Sequence, residues 1–138
     1  MARALILDSE ALNALAYASQ RAVLAQRARA ILQVARDEGA LIRVPSPVLA
    51  ELCRGGAADA AVNRILNGRG IVVVDLVDVV ARRAGALLAR AGLNSAHAVD
   101  AFVVATALAF GSAVIATGDA DDIGLLAAGH PDVRVYKI

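Results

Sequence analysis

The sequence predicts an α/β fold: three layers, with a five-stranded, mostly parallel sheet carrying helices on both faces. Two observations support this. Five short apolar runs are spread along the 138 residues, and the segments between them are rich in Ala, Leu and Arg, which favour helix. Strands that alternate with helices pair in parallel through right-handed crossovers. The length and the 59% hydrophobic content suit a single domain over residues 1–138 with one core.

In chain order the strands are "ALIL" (4–7), "LIRV" (41–44), "IVVVDL" (71–76), "AVIAT" (113–117) and "VRVYKI" (133–138). The third and fourth are rich in β-branched residues, as expected of strands buried on both faces. The fifth alternates apolar and polar, which suits a sheet edge. The first helix runs from a Ser9 cap toward Ala18. The second covers 21–38 and stops at Gly39. "SPVLAELCRGG" places a cap at Ser46, Pro47 in the first helical position and a stop at Gly55. A short fourth helix ends at Asn67-Gly68, and a fifth covers 77–91 before Gly92. A sixth starts from a Ser95 cap and runs through Phe110. A seventh begins within 119–122 and ends near Gly129.

Bulk properties exclude several classes. No stretch reaches the roughly 18 apolar residues of a membrane helix, and the apolar run at the N-terminus is too short for a secretory signal. A cytoplasmic protein without membrane contact is expected. Cys53 is the only cysteine, which excludes an intrachain disulfide and a cysteine zinc site. With a net charge of +1, nucleic-acid binding needs a local patch. Two Phe, two Tyr and no Trp advertise no base-stacking platform.

The acids carry the chemistry. Ligands of open parallel sheets bind beyond the carboxyl ends of the strands. Asp8 follows the first strand, and Asp119 follows the fourth after Thr117-Gly118. Glu51 and Asp100 each lie five residues after a predicted cap, Ser46 and Ser95. That offset places both about one and a half turns into their helices, near the positive dipole end. Asp100 sits in "AHAVDAFVVATALAF", apolar nearly all round, where an unpaired carboxylate is costly. Taken singly, Glu51 reads as a partner of Arg54, and Asp8, Asp119 and Asp122 as ordinary helix-start acids. Taken together, the acids form an oxygen-only set suited to a hard divalent cation. His97, one turn before Asp100, is near enough to approach the site but reads first as a solvated helix-start residue, and His130 lies in a turn. No nucleophile triad, paired-cysteine motif or phosphate-binding glycine loop is present.

"LILDSEAL", "PSPVLAEL" and "AVDAFVVATALAFGSAVIATGDADDIGLLA" resemble, in order and spacing, the motifs of the PIN-domain ribonucleases. The resemblance is closest to the VapC-type toxins of bacterial toxin–antitoxin pairs and covers essentially the whole chain. It implies a five-stranded parallel sheet with the first strand central, and RNA cleavage dependent on Mg²⁺ or Mn²⁺. It also implies a homodimer and a small VapB-type antitoxin whose tail blocks the cleft. Asp8, Glu51, Asp100 and Asp119 would be the catalytic, metal-holding acids, with Asp122 a further ligand and Ser9 and Thr117 orienting ligands or waters. Asp121 falls outside the family pattern, and Glu10 stands where that pattern often has Ser. Arg54, Arg21 and Arg27, with Arg29 and Arg36, are candidates for phosphate contacts; their alternative is a solvated helix face. The competing functions are a PIN-like nuclease in RNA processing and a non-catalytic α/β signalling or scaffold module.

Overall fold

The computed structural model describes residues 2–138. The chain folds in the order β1 (Ala4–Leu7), α1 (Ser9–Ala16), α2 (Ala22–Asp37), β2 (Leu41–Pro45), α3 (Pro47–Leu52), α4 (Gly56–Leu66), β3 (Ile71–Val74) and α5 (Asp78–Ala91). A 3-10 turn (Ser95–His97), α6 (Ala98–Ala109), β4 (Ala113–Thr117), α7 (Ala120–Ala127) and β5 (Val133–Lys137) follow.

The five strands form one fully parallel sheet in the order β3-β2-β1-β4-β5, with β1 central. From β1 the chain steps outward through β2 to β3, then crosses to β4 and β5. Right-handed crossovers in opposite directions place the first four helices on one face and the last three on the other. Accordingly α1 packs against α2, α3 and α4, while α5, α6 and α7 pack against one another. A phospho-acceptor signalling module of the flavodoxin-like type has the order 2-1-3-4-5, so this topology removes that alternative.

β1 and β4 are buried along their whole length, as central strands covered on both faces must be. Their side chains Leu5, Ile6, Leu7 and Ile115 meet Leu12, Val44, Val103, Val104 and Ile123 in the core. β3 corrects the sequence expectation. It is an edge strand of only four residues, with Val72 exposed, so its β-branched run reflects strand propensity rather than two-sided burial.

Three helix starts also differ from expectation. Asp8, not Ser9, caps α1, because its carboxylate accepts the Ala11 N–H. Ser46 precedes α3 but its hydroxyl accepts the Leu76 N–H instead, tying the end of β2 to the chain after β3. Asn94 caps the 3-10 turn, so α6 begins at Ala98 rather than at Ser95. The equal five-residue offsets of Glu51 and Asp100 therefore do not become equal helical positions. Asp100 lies in the first turn of α6, near the positive dipole end, whereas Glu51 is the fifth of six residues in α3. α3 ends before Cys53, ahead of the predicted Gly55 stop.

Candidate functional site

The sheet places its switch of direction between β1 and β4, which is where open α/β sheets form a crevice at the carboxyl ends of their strands. The register pairs Leu7 with Ala116, and the Asp8 N–H continues the ladder to the Ala116 carbonyl at 3.2 Å. Asp8 is thereby level with Thr117 at the rim. Asp119 follows two residues on as the cap of α7, its carboxylate accepting the Asp122 N–H at 3.4 Å. α6 packs on β1 and β4 and delivers Asp100 from its first turn, and α3 delivers Glu51 from β2's side. Asp8, Ser9, Glu10, Glu51, Asp100, Gly118 and Asp119 line one cleft of about 300 Å³. The four acids predicted from scattered stretches of sequence are thus brought together.

The side chains around them are arranged by hydrogen bonds. The Ser9 hydroxyl donates to Glu51 Oε1 and so holds an otherwise exposed glutamate toward the cleft. Thr117 is fully buried; its Oγ1 accepts the Asp119 N–H at 2.8 Å, and its side chain also hydrogen-bonds to Asp8. Ser9 and Thr117 thus each hydrogen-bond to acids of the cleft.

Electrostatically the cleft is loaded with unbalanced negative charge. Asp8 is 4% exposed, and burial raises its carboxyl from the ordinary 3.8 to about 6 despite the opposing bonds from Thr117 and Ala11. Asp100 and Glu10 push it further in the same direction. Asp100 also rises to about 6, first through burial and then through the charges of Asp119, Glu51 and Asp122, with His97 opposing. Among the described residues no Lys or Arg forms an ion pair with Asp8, Glu51, Asp100 or Asp119. A set of hard oxygen donors without a protein counter-charge matches the preference of Mg²⁺ or Mn²⁺.

Asp122 stands just beyond this lining, on the first turn of α7, and Asp121 is exposed. Sequence reasoning placed His97 in solvent. It is instead half-buried, with Nδ1 3.3 Å from Asp122 Oδ2, and one ligand atom each of His97, Asp100 and Asp122 lies within 4.8 Å of the others. The available signal was the three-residue spacing from His97 to Asp100, which puts both on one helical face. Glu10 was left open by the sequence; it lines the cleft and pairs with Arg21 at 3.2 Å. Its side chain lies over Gly118, where a Cβ would approach Glu10 Cβ to 2.7 Å.

The predicted basic residues separate. Arg21 stands at the rim through Glu10. Arg54 turns back onto the carbonyls of Ala50 and Cys53 rather than pairing with Glu51. Arg27 and Arg29 are exposed on α2. Arg36 is the misplaced member: it bonds to the Arg69 carbonyl beside the start of β3, at the opposite end of the sheet. Its helix runs antiparallel to the strands, so fifteen residues at 1.5 Å carry it roughly 20 Å from Arg21.

A family model described as the PIN domain matches residues 5–127. Solved structures with the same fold include a chain of VapBC2 from Rickettsia felis bound to a DNA fragment from their promoter. It superposes with a TM-score of 0.71 at 15% identity, covering 98% of this chain and 98% of that one. A chain of a toxin–antitoxin complex from Klebsiella pneumoniae gives a TM-score of 0.65 at 21% identity, over 97% of this chain and 99% of that one. No curated protein matches the sequence.

Proposed function

The chain belongs to the PIN-domain family, and from that premise we propose that it is a metal-dependent endoribonuclease acting in the cytoplasm as the VapC-type toxin of a toxin–antitoxin pair. The observation that carries this reading is the convergence of Asp8, Glu51, Asp100 and Asp119 on one cleft at the β1/β4 switch point. The likeness to chains of toxin–antitoxin complexes favours a toxin over an RNA-processing nuclease and supports an antitoxin partner, which in this reading is of the VapB type. The protein would act as a homodimer.

In this reading Asp8, Asp100, Asp119 and Glu51 hold Mg²⁺ or Mn²⁺, with Asp122 as a further acid. The bound cation supplies Lewis-acid charge to the scissile phosphate and acidifies water, so that no protein nucleophile is required. Ser9 fixes the rotamer of Glu51. Thr117 fixes Asp8 and Asp119 relative to one another, the kind of support that keeps ligands in place. Arg21, held at the rim by Glu10, is the best placed of the basic residues to meet an RNA phosphate, with Arg54 and Arg27 as further candidates.

Expression of the chain alone tests the proposal. Wild type should arrest growth, Asp100→Asn should not, and co-expression of the cognate antitoxin should relieve the arrest. Equal arrest by both chains would contradict a metal-nuclease origin of toxicity.

A further inference from the structure

Beside the four-acid set, and sharing Asp100 with it, a group of titratable side chains gathers from two neighbouring helix starts. His97 closes the 3-10 turn and caps α6, Asp100 follows one turn on, and Asp122 lies in the first turn of the adjacent α7. One ligand atom from each falls within 4.8 Å of the other two. Three ligands drawn to about 2.1 Å from a common cation stand no more than about 4.2 Å apart. The observed spread closes to that with small side-chain movements. His97 and Asp122 are each about 30% exposed at the side chain, so the group is open to a solvent-borne ion. Asp100 also faces Asp119 and Glu51, so its two carboxylate oxygens serve two adjacent positions.

We propose that His97 gives a second cation position, shared with Asp100 and Asp122, a nitrogen donor that makes it favour a first-row transition cation over Mg²⁺. The inference rests on the metal-dependent reading above and specifies which cation its site selects. Mg²⁺ takes oxygen ligands and retains its waters, whereas imidazole nitrogen binds transition cations with an affinity that rises along the first-row series. A neutral His97 presents the Nδ1 lone pair on the side of Asp122. The first position, with oxygen donors alone, has no such preference.

Mn²⁺ is the probe, because its electron spin reports directly bonded nitrogen. The chain has two histidines, His97 and His130, so in tag-free protein an imidazole ¹⁴N coupling has two sources. Wild type and His130→Gln loaded with Mn²⁺ should show the coupling in spin-echo spectra, and His97→Gln should lose it. The Mg²⁺ concentration needed to displace Mn²⁺ should fall about tenfold in His97→Gln, the scale on which ligand-set changes act. Asp122→Asn provides a second route to the same loss of preference, and unfolding in EDTA checks that each variant is folded. Mn²⁺ bound to wild type without nitrogen coupling, or with a Mg²⁺ displacement unchanged in His97→Gln, would leave His97 as an ion-pair partner of Asp122 and overturn the inference alone. No Mn²⁺ binding by wild type would overturn the proposed function with it.

Discussion

The Thr117 hydroxyl oxygen accepts the backbone N–H of Asp119 at 2.8 Å, inside a cleft wall where Thr117 has no exposed surface. The same side chain hydrogen-bonds to Asp8, just past the end of the neighbouring strand. One hydroxyl, with one proton and two lone pairs, thus sets the spacing of the acids at the ends of β1 and β4. Thr117→Val keeps the volume but removes both bonds. It should weaken Mn²⁺ binding by about 10- to 100-fold, while Thr117→Ser should stay near wild type. Calorimetric titration distinguishes the two.

The raised acids make the metal-free protein sensitive to pH. The folded pKa of Asp8 lies at about 6 against an ordinary 3.8, and that of Asp100 shifts the same way. Between those values the folded state holds more protons than the unfolded chain, so stability falls as pH rises through the window and stays low above it. For buried Asp8 a shift of this size corresponds to roughly 3 kcal/mol. Asn caps helices as well as Asp does, so Asp8→Asn should remove the charge and keep α1. In urea with EDTA at pH 7 that variant should be more stable than wild type by about 1–3 kcal/mol, with the difference shrinking toward pH 4. A wild-type stability that is flat from pH 4 to 7 without metal would count against the burial of these carboxylates.

Gly118 is required by packing rather than by its backbone. An added Cβ would lie 2.7 Å from Glu10 Cβ and 2.8 Å from Glu10 Cγ. Gly118→Ala should cost about 1–3 kcal/mol, as overpacking does. Glu10→Ala would leave the Cβ contact in place, whereas Glu10→Gly would relieve it. The Gly118→Ala cost should therefore be smaller in a Glu10→Gly background than in a Glu10→Ala one. Equal costs in the two backgrounds would show that the close approach is not what limits position 118.

The basic residues should divide by position. Arg21→Ala, at the rim, should raise KM for RNA several-fold with little change in kcat. Arg36→Ala, at the far end of α2, should leave both unchanged. A larger effect at Arg36 than at Arg21 would place the RNA path on the wrong side of the molecule.

Much of this was legible in the sequence because the governing signals are local. The strand-end positions of Asp8 and Asp119, and the apolar run around Asp100, mark the rim before any coordinates, and all four predicted acids meet there. β5 read as an edge holds for the same reason, whereas the central place of β1 was implied by the resemblance to the PIN-domain family. The misreadings share another cause: they depended on which of two competing polar groups a local backbone N–H chose. Asp8 outcompeted Ser9 for the Ala11 N–H, Asn94 rather than Ser95 became the cap by accepting the Ala96 N–H, and the Ser46 hydroxyl was drawn to Leu76, thirty residues away. β3 was read as doubly buried because β-branched residues suit an edge as well as a centre. His97 was missed because its partner, Asp122, is distant in sequence and meets it only through the packing of α7 on α6.

RNA hydrolysis by purified, antitoxin-free protein tests the central claim most directly. With Mn²⁺, wild type should cleave RNA and Asp100→Asn should lose at least about a hundredfold in rate, the scale of several kcal/mol of lost charge stabilisation. EDTA should abolish the wild-type activity, and added Mn²⁺ should restore it. Cleavage that persists in EDTA, or that Asp100→Asn retains, would contradict the assignment of the β1/β4 cleft as a metal-dependent nuclease centre.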